Sequence, residues 1–346
     1  MVQTHSRAPI HIMACDGGRK LAQAVARHLD APLVASRDVW FSCGEGKVII
    51  EQNVRGTDLY VFQSPVVPGD PRSTYDRFIM LLHAIEAAAL SDAEWVTAVV
   101  PYFPGARQDK RKGRVREGIS AGLFARMLQE AGAHRVVTVD IHNEAIAGMF
   151  NPIRCRLENV HLYHRLADFI KGRGLQGDTV ASPDVGGMER ARMYAAELSA
   201  HLVGLSKERD YATVNTVKRS TLIGEVSGRD ILLVDDIVDT AGSVTAAVDE
   251  LMRRGAGDVT IACAHPVFSG PAMERLQSTA NRAQAEGWRF RVVGSTSVHH
   301  PNAPDWFVPF PISSLLADVI GRINGRGSVT SAQLADDPEA ADTLEV

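Results

Sequence analysis

Apolar residues in this chain fall into short runs, separated by stretches in which they recur every three or four positions. Residues 10–14, 47–51, 59–63, 96–101 and 136–139 read as strands, mostly apolar, as in parallel sheets covered on both faces. Leu21, Val25 and Leu29 mark a helix over 20–29, and longer patterns predict helices over 74–90 and 119–130. The second half repeats this order. Strands at 179–182, 231–234, 259–264 and 290–293, with a short one near Val308, alternate with helices at 162–170, 188–199, 244–251 and 271–286. The alternation predicts an α/β fold of two similar domains, each with a mostly parallel central sheet flanked by helices. The first domain is expected over 8–155 and the second over 156–311. The apolar face of Ile312, Leu315, Leu316, Val319 and Ile320 makes a helix near 312–322 a candidate to pack back on the first domain. Residues 325–346, acid-rich and without apolar periodicity, read as a disordered tail.

Composition narrows the class. The chain has 346 residues, 45% hydrophobic, with a net charge of −4, so nothing global points to nucleic acid or an anionic membrane. No apolar stretch is long enough to span a bilayer. Cys15, Cys43, Cys155 and Cys263 are too scattered for a zinc knuckle and too few for a disulfide scaffold, which favours a reducing, cytoplasmic setting.

The polar residues that follow the strands carry the chemistry. Arg107, Gln108 and Asp109 follow strand 96–101, Asp140 and His142 follow 136–139, Asp184 follows 179–182, and Asp235 and Asp236 follow 231–234. Ligands of open parallel sheets gather at such carboxyl ends. The stretch 231–243, ILLVDDIVDTAGS, is strand, acidic edge, small-residue loop and helix start, an order that offers backbone amides to a phosphate. Asp235 and Asp236 suit ribose hydroxyls or a divalent cation. The segment 106–117, half of it Arg or Lys, could neutralise several phosphates, and His142 with nearby carboxylates could hold Mg²⁺. The polar run 206–221 reads as a mobile flap whose Lys207 and Arg209 alternate toward one side, offering two cations to a phosphoryl transition state.

VDDIVDTAGS resembles the phosphoribosyl-diphosphate (PRPP) loop of the type I phosphoribosyltransferase fold. With Phe41-Ser42, Gly44-Glu45, Arg55-Gly56, Ala106-Arg107-Gln108-Asp109, Asp140-Ile141-His142, Ser182-Pro183-Asp184 and Gly186-Gly187, the chain from about 10 to 322 resembles the ribose-phosphate diphosphokinases. The resemblance implies two phosphoribosyltransferase-like domains. It also implies Mg²⁺-dependent transfer of the β,γ-diphosphoryl group of ATP to ribose 5-phosphate. ATP contacts would be Phe41, Glu45, Arg107, Gln108 and His142. Ribose 5-phosphate contacts would be Asp184, Asp235, Asp236 and Asp239, Thr240, Ala241, Gly242 and Ser243. His142 and Asp184 would lie at the metal, and Lys207, Arg209 and His142 would be catalytic. The adenine loop of Phe41 and Glu45 would reach a neighbouring subunit, implying a homo-oligomer, dimer at least and hexamer by family habit. Inorganic phosphate or ADP would be candidate effectors. Departures from the family pattern are Cys43 in the adenine loop, a basic loop over 110–116 one residue longer than usual, Ala145 for a usual Gln, Asn151 and Arg154 for usual acids, Ser206 before Lys207, and no Arg/Pro-rich stretch after Arg209. A catalytically silent paralogue that binds nucleotide or PRPP, and a phosphoribosyltransferase, are the alternative readings.

Overall fold

The computed structural model describes residues 8–334 apart from 112, 114 and 210–216, with the backbone alone for 206–209 and 217–221. Two compact units divide it: residues up to His161 together with those from Ile312 onward, and Leu162–Pro311.

In the first unit, β1 (Ile10–Ala14) leads through a short turn into α1 (Arg19–Leu29). Among the described residues, β2 (Ser36–Trp40) and β3 (Gly46–Ile50) then pair only with each other as an antiparallel hairpin. β4 (Asp58–Phe62), α2 (Thr74–Leu90), β5 (Trp95–Val99), α3 (Ser120–Glu130), β6 (Arg135–Val139) and β7 (Arg156–Val160) follow. The strands β1, β4, β5, β6 and β7 form a wholly parallel sheet in that spatial order. α2 starts at a reciprocal cap, in which Ser73 Oγ accepts from the Asp76 amide at 3.1 Å and Asp76 accepts from the Ser73 amide at 2.8 Å. Leu59, Val61, Val96, Ala98 and Val136 pack with Phe78, Leu81, Ile85, Phe124 and Leu128 in one core.

The second unit carries α4 (Tyr163–Gly172), β8 (Thr179–Ser182), α5 (Met188–Leu198), β9 (His201–Arg209), β10 (Val217–Ile223), β11 (Ile231–Val238), α6 (Gly242–Arg253) and β12 (Val259–Pro266). α7 (Ala272–Glu286), β13 (Phe290–Ser295) and β14 (Phe307–Phe310) complete it. The sheet order is β10-β9-β8-β11-β12-β13-β14, parallel except where β10 returns along β9. From β8 the chain moves to one side for β9, then crosses back to β11 on the other. The strand order therefore reverses at β8 and β11, the kind of place where such sheets open a ligand crevice.

Several expectations change. The domain boundary falls after His161 and not at 155, because 156–160 forms β7 and completes the first sheet. The expected tail is not structureless throughout: α9 (Val329–Leu334) follows α8 (Ser313–Asn324), with Ala332 fully buried and the Gln333 side chain accepting from the His161 amide at 3.3 Å. Residues 335–346 lie outside those described. α8 belongs to the first unit, where the Asn324 side chain donates to the Ala8 carbonyl at 2.8 Å and to Asp58 at 2.9 Å.

Candidate active site

At the reversal in the second unit, Ser182 ends β8 and donates through Oγ to the Asp184 carbonyl at 2.6 Å. The Asp184 carboxylate accepts from the Gly187 amide at 3.0 Å, which caps the turn and orients an exposed acid. A Cβ at Gly187 would sit 2.6 Å from Ser182 Oγ, so this turn needs glycine there.

β11 runs four residues past the expected end, because its pairing with β12 continues from Asp235 opposite Cys263 to Val238 opposite Pro266. Asp235 and Asp236 are thus strand residues, and their carboxyls lie close enough to share a hydrogen bond. Asp236 is buried, with Arg190 Nη1 of α5 at 3.6 Å. Burial pushes the Asp235 carboxyl well above the usual range, the Asp236 charge pushes the same way, and Arg190 opposes both.

Beyond Val238 the loop is fixed from outside. The Phe268 amide donates to the Val238 carbonyl at 3.0 Å, the Ser269 amide to the Asp239 carbonyl at 2.9 Å, and Ser269 Oγ to the Asp239 carboxylate. Arg275 Nη1 of α7 donates to the Thr240 carbonyl at 2.8 Å. Ala241 adopts a left-handed conformation (φ 59°) that turns the chain sharply into α6, whose start no side chain caps. The first-turn amides of a helix have no intrahelical partners and carry partial positive charge, so this end is built to receive an anion. Thr240 and Ser243 are exposed beside it and Gly242 is half-buried.

In the first unit, neighbouring strands β5 and β6 deliver the ATP-side candidates. Gly105, in the left-handed region, turns the chain so that the Gln108 amide donates to the Gly105 carbonyl at 2.9 Å. The Gln108 side-chain oxygen accepts from Ser120 Oγ at 2.6 Å. Asp109 accepts from the Asn143 side chain, so the Arg107-Gln108-Asp109 and Asp140-Ile141-His142 segments are brought together. Edge strand β7 supports the second of these: Asn159 accepts from the Ile141 amide at 2.9 Å and His161 Nδ1 lies 3.5 Å from Asp140. Arg107, Gln108 and His142 are all exposed.

Phe41 and Glu45 bound the hairpin tip, where the Phe41 amide donates to the Glu45 carbonyl at 2.8 Å around a left-handed Gly44. The Phe41 ring is 47% exposed, with Lys47 Nζ 5.7 Å from its centroid. Lys207 and Arg209 lie on β9, whose backbone pairs with β10, Lys207 opposite Ser220 and Arg209 opposite Val217. Among the described residues, no group of three or more His, Cys, Asp or Glu is assembled that could hold a metal ion.

A family model of the N-terminal domain of ribose phosphate pyrophosphokinase matches residues 10–132, and one of the phosphoribosyl transferase domain matches 160–308. The ribose-phosphate pyrophosphokinase of Halalkalibacterium halodurans is 33% identical over 321 residues, covering 93% of this chain and 96% of that protein. That of Chlorobaculum tepidum is 39% identical over 274 residues, covering 78% and 80%. The crystal structure of phosphoribosylpyrophosphate synthetase from Mycobacterium smegmatis superimposes with a TM-score of 0.80 at 32% identity, over 92% of this chain and all of that one. The chain belongs to the ribose-phosphate pyrophosphokinase family. Membership separates it from a lone phosphoribosyltransferase domain, which would leave the matched residues 10–132 without a counterpart. Within the pyrophosphokinase frame, Arg190, Arg275, Asn143 and Asn159 support the candidate site without having stood out in the sequence. For Arg190 a cue existed, a cation one helical turn beyond Asp184-Val185-Gly186-Gly187.

Proposed function

We propose that the chain transfers the β,γ-diphosphoryl group of ATP to the 1-hydroxyl of ribose 5-phosphate, giving AMP and 5-phospho-α-D-ribose 1-diphosphate. The observation that carries this reading is the β8–β11 reversal, where the acids of β11 stand at the head of a loop running into the uncapped start of α6. That helix end receives the 5-phosphate on the amides of 239–243. Asp235 and Asp236 accept hydrogen bonds from the ribose hydroxyls. Asp184 faces the reacting end of the sugar. In the first unit, Arg107, Gln108 and His142 hold the ATP phosphates, and Phe41 and Glu45 hold adenine.

In the reaction the 1-oxygen attacks the β-phosphorus in line. The new bond joins that oxygen to Pβ, the bond from Pβ to the α,β-bridging oxygen breaks, AMP leaves with the bridging oxygen, and the hydroxyl proton passes to solvent. Lys207 and Arg209 stabilise charge on the transferring phosphoryl oxygens.

The exposed Asp184 carboxylate and the exposed His142 imidazole are donors that fit Mg²⁺, which keeps most of its ligands as water and phosphate oxygens. His142 and Asp184 would hold it, and it would supply neutralisation of the polyphosphate charge.

An exposed Phe41 at the tip of a hairpin paired only with itself supports a homo-oligomer, dimer at least and hexamer by family habit, in which the loop serves a neighbouring copy. Phosphate and ADP are proposed effectors. Four unpaired thiols, three of them buried, support a cytoplasmic setting, and among the described residues no helix is long and apolar enough to cross a membrane. The test is AMP and PRPP formation by the purified protein from ATP, ribose 5-phosphate and Mg²⁺. Both products are expected; retained ATP binding with no product identifies a catalytically silent paralogue instead.

A further inference from the structure

The segment between β4 and α2, residues 63–73, is unusually well tied for a loop. The Arg72 amide donates to the Asp70 carboxylate at 2.9 Å, and the Asp70 amide donates to the Val67 carbonyl at 3.2 Å. Asp70 also pairs with Arg77 Nη2 at 2.8 Å, a guanidinium buried at the start of α2, and with Arg72 Nη1 at 3.6 Å. Gln63 Nε2 donates to the Arg77 carbonyl at 3.0 Å, so both ends of the strap are anchored to one helix turn. Its outermost cation, Arg72, lies 4.7 Å over the ring of Trp40, the residue that immediately precedes Phe41.

The hairpin is held progressively less firmly toward its tip. At its base, Ser36 Oγ donates to the Ala14 carbonyl at 3.0 Å and Arg19 donates to the Ser36 carbonyl at 3.1 Å. One strand period later, Asp38 accepts a single bond from the Asp16 amide at 3.2 Å. At Trp40 the side chain adds no hydrogen bond: among the described residues its indole N–H and the second Asp38 oxygen are both buried without a partner. The Trp40 ring backs onto Gly46, where a Cβ would stand 3.1 Å from the ring and 2.5 Å from Met80 Sδ of α2. Stacking of the Arg72 guanidinium on the Trp40 ring thus joins the strap to the hairpin one residue before Phe41, beside the packing of Trp40 on the first core.

We infer that Arg72 and Trp40 form a latch by which the 63–73 strap positions the adenine hairpin, making both residues positioning residues for nucleotide binding. The inference rests on the reading of Phe41 and Glu45 as adenine contacts. The latch orders Phe41 before the nucleotide arrives, so losing it adds an ordering cost to ATP binding and leaves the sugar site and the chemical step alone.

Steady-state kinetics of the full chain test it. Arg72→Gln and Trp40→Ala are each expected to raise the KM for ATP by about 3- to 10-fold, the range of a cation–π contact of this kind. The KM for ribose 5-phosphate and kcat should stay within about 2-fold, and the double variant should be no worse than Trp40→Ala alone. Trp40→Phe, which keeps an aromatic face, should recover most of the affinity. An unchanged KM for ATP in both single variants, equal rises in both KM values, or additive losses in the double variant would overturn the latch. Phe41→Ala separates the two levels of the argument. If it leaves the KM for ATP unchanged, the adenine reading fails and takes the latch with it. If it raises that KM while Arg72→Gln does not, the latch alone fails.

Discussion

Replacing Arg190 by leucine removes the cation that faces the buried acidic pair of β11. Arg190 Nη1 lies 3.6 Å from Asp236, whose side chain is only 9% exposed, while the Arg190 side chain is 22% exposed. At an effective dielectric near 20, unit charges at that separation attract by about 4–5 kcal/mol. Desolvation of both groups and partial solvent access to Arg190 cut the net loss to about 2–3 kcal/mol. For a unit of this size, that lowers the apparent unfolding midpoint by about 4–10 °C. The sign of the pH dependence follows from Asp235, whose folded-state pKa lies above its unfolded value. A group raised in this way takes up a proton on folding, so stability falls as pH rises from the unfolded pKa through the folded one. Without Arg190 the Asp235 carboxyl is harder still to ionise and that fall steepens, making the deficit larger at pH 8 than at pH 5. Differential scanning fluorimetry of both proteins across that range, with the KM for ribose 5-phosphate measured in parallel, reads the effect. A deficit independent of pH, or none, would refute the electrostatic role given to Arg190.

Other expectations are as specific. Gly242→Ala places a methyl 3.0 Å from Arg275 Nη1 and displaces it from the Thr240 carbonyl; the KM for ribose 5-phosphate should rise about 3- to 10-fold with little change in kcat, and an unchanged KM would show that the tether does not shape the phosphate loop. Burial raises the Asp38 carboxyl to about 6, so stability should fall between about pH 4 and 6 as it ionises; Asp38→Asn should flatten that slope by roughly 1 kcal/mol after allowing for solvent screening, measured by denaturant titration at pH 4.5 and 7. Lys207→Ala should lower kcat by about 100-fold or more with the KM for ribose 5-phosphate nearly unchanged, and a large KM change at constant kcat would contradict its transition-state role.

The sheets were legible because buried parallel strands advertise themselves as unbroken apolar runs, as at Leu232-Leu233-Val234 or Ala98-Val99-Val100. What escaped is polar and peripheral. β2 reads SRDVW and pairs only within a hairpin, β7 reads RLENV and has one neighbour, and α9 is a six-residue helix with two buried positions. The extension of β11 through its two acids was hidden for a related reason: pairing with β12, not side-chain pattern, carries the strand to Val238. Chemistry in the loops after the strands stood out in the sequence. The groups that orient it did not, since Arg190, Arg275 and Asn143 reach the site from positions 46, 35 and 34 residues away from the groups they serve.

The most direct test follows the phosphorus atoms of ATP by ³¹P NMR as the purified protein acts on ribose 5-phosphate with Mg²⁺. The account predicts that the β- and γ-phosphorus signals move together into a diphosphate attached to carbon 1 of the sugar while the α-phosphorus appears as AMP. Formation of ADP with a single phosphoryl group transferred, or no transfer from a protein that binds both substrates, would contradict it.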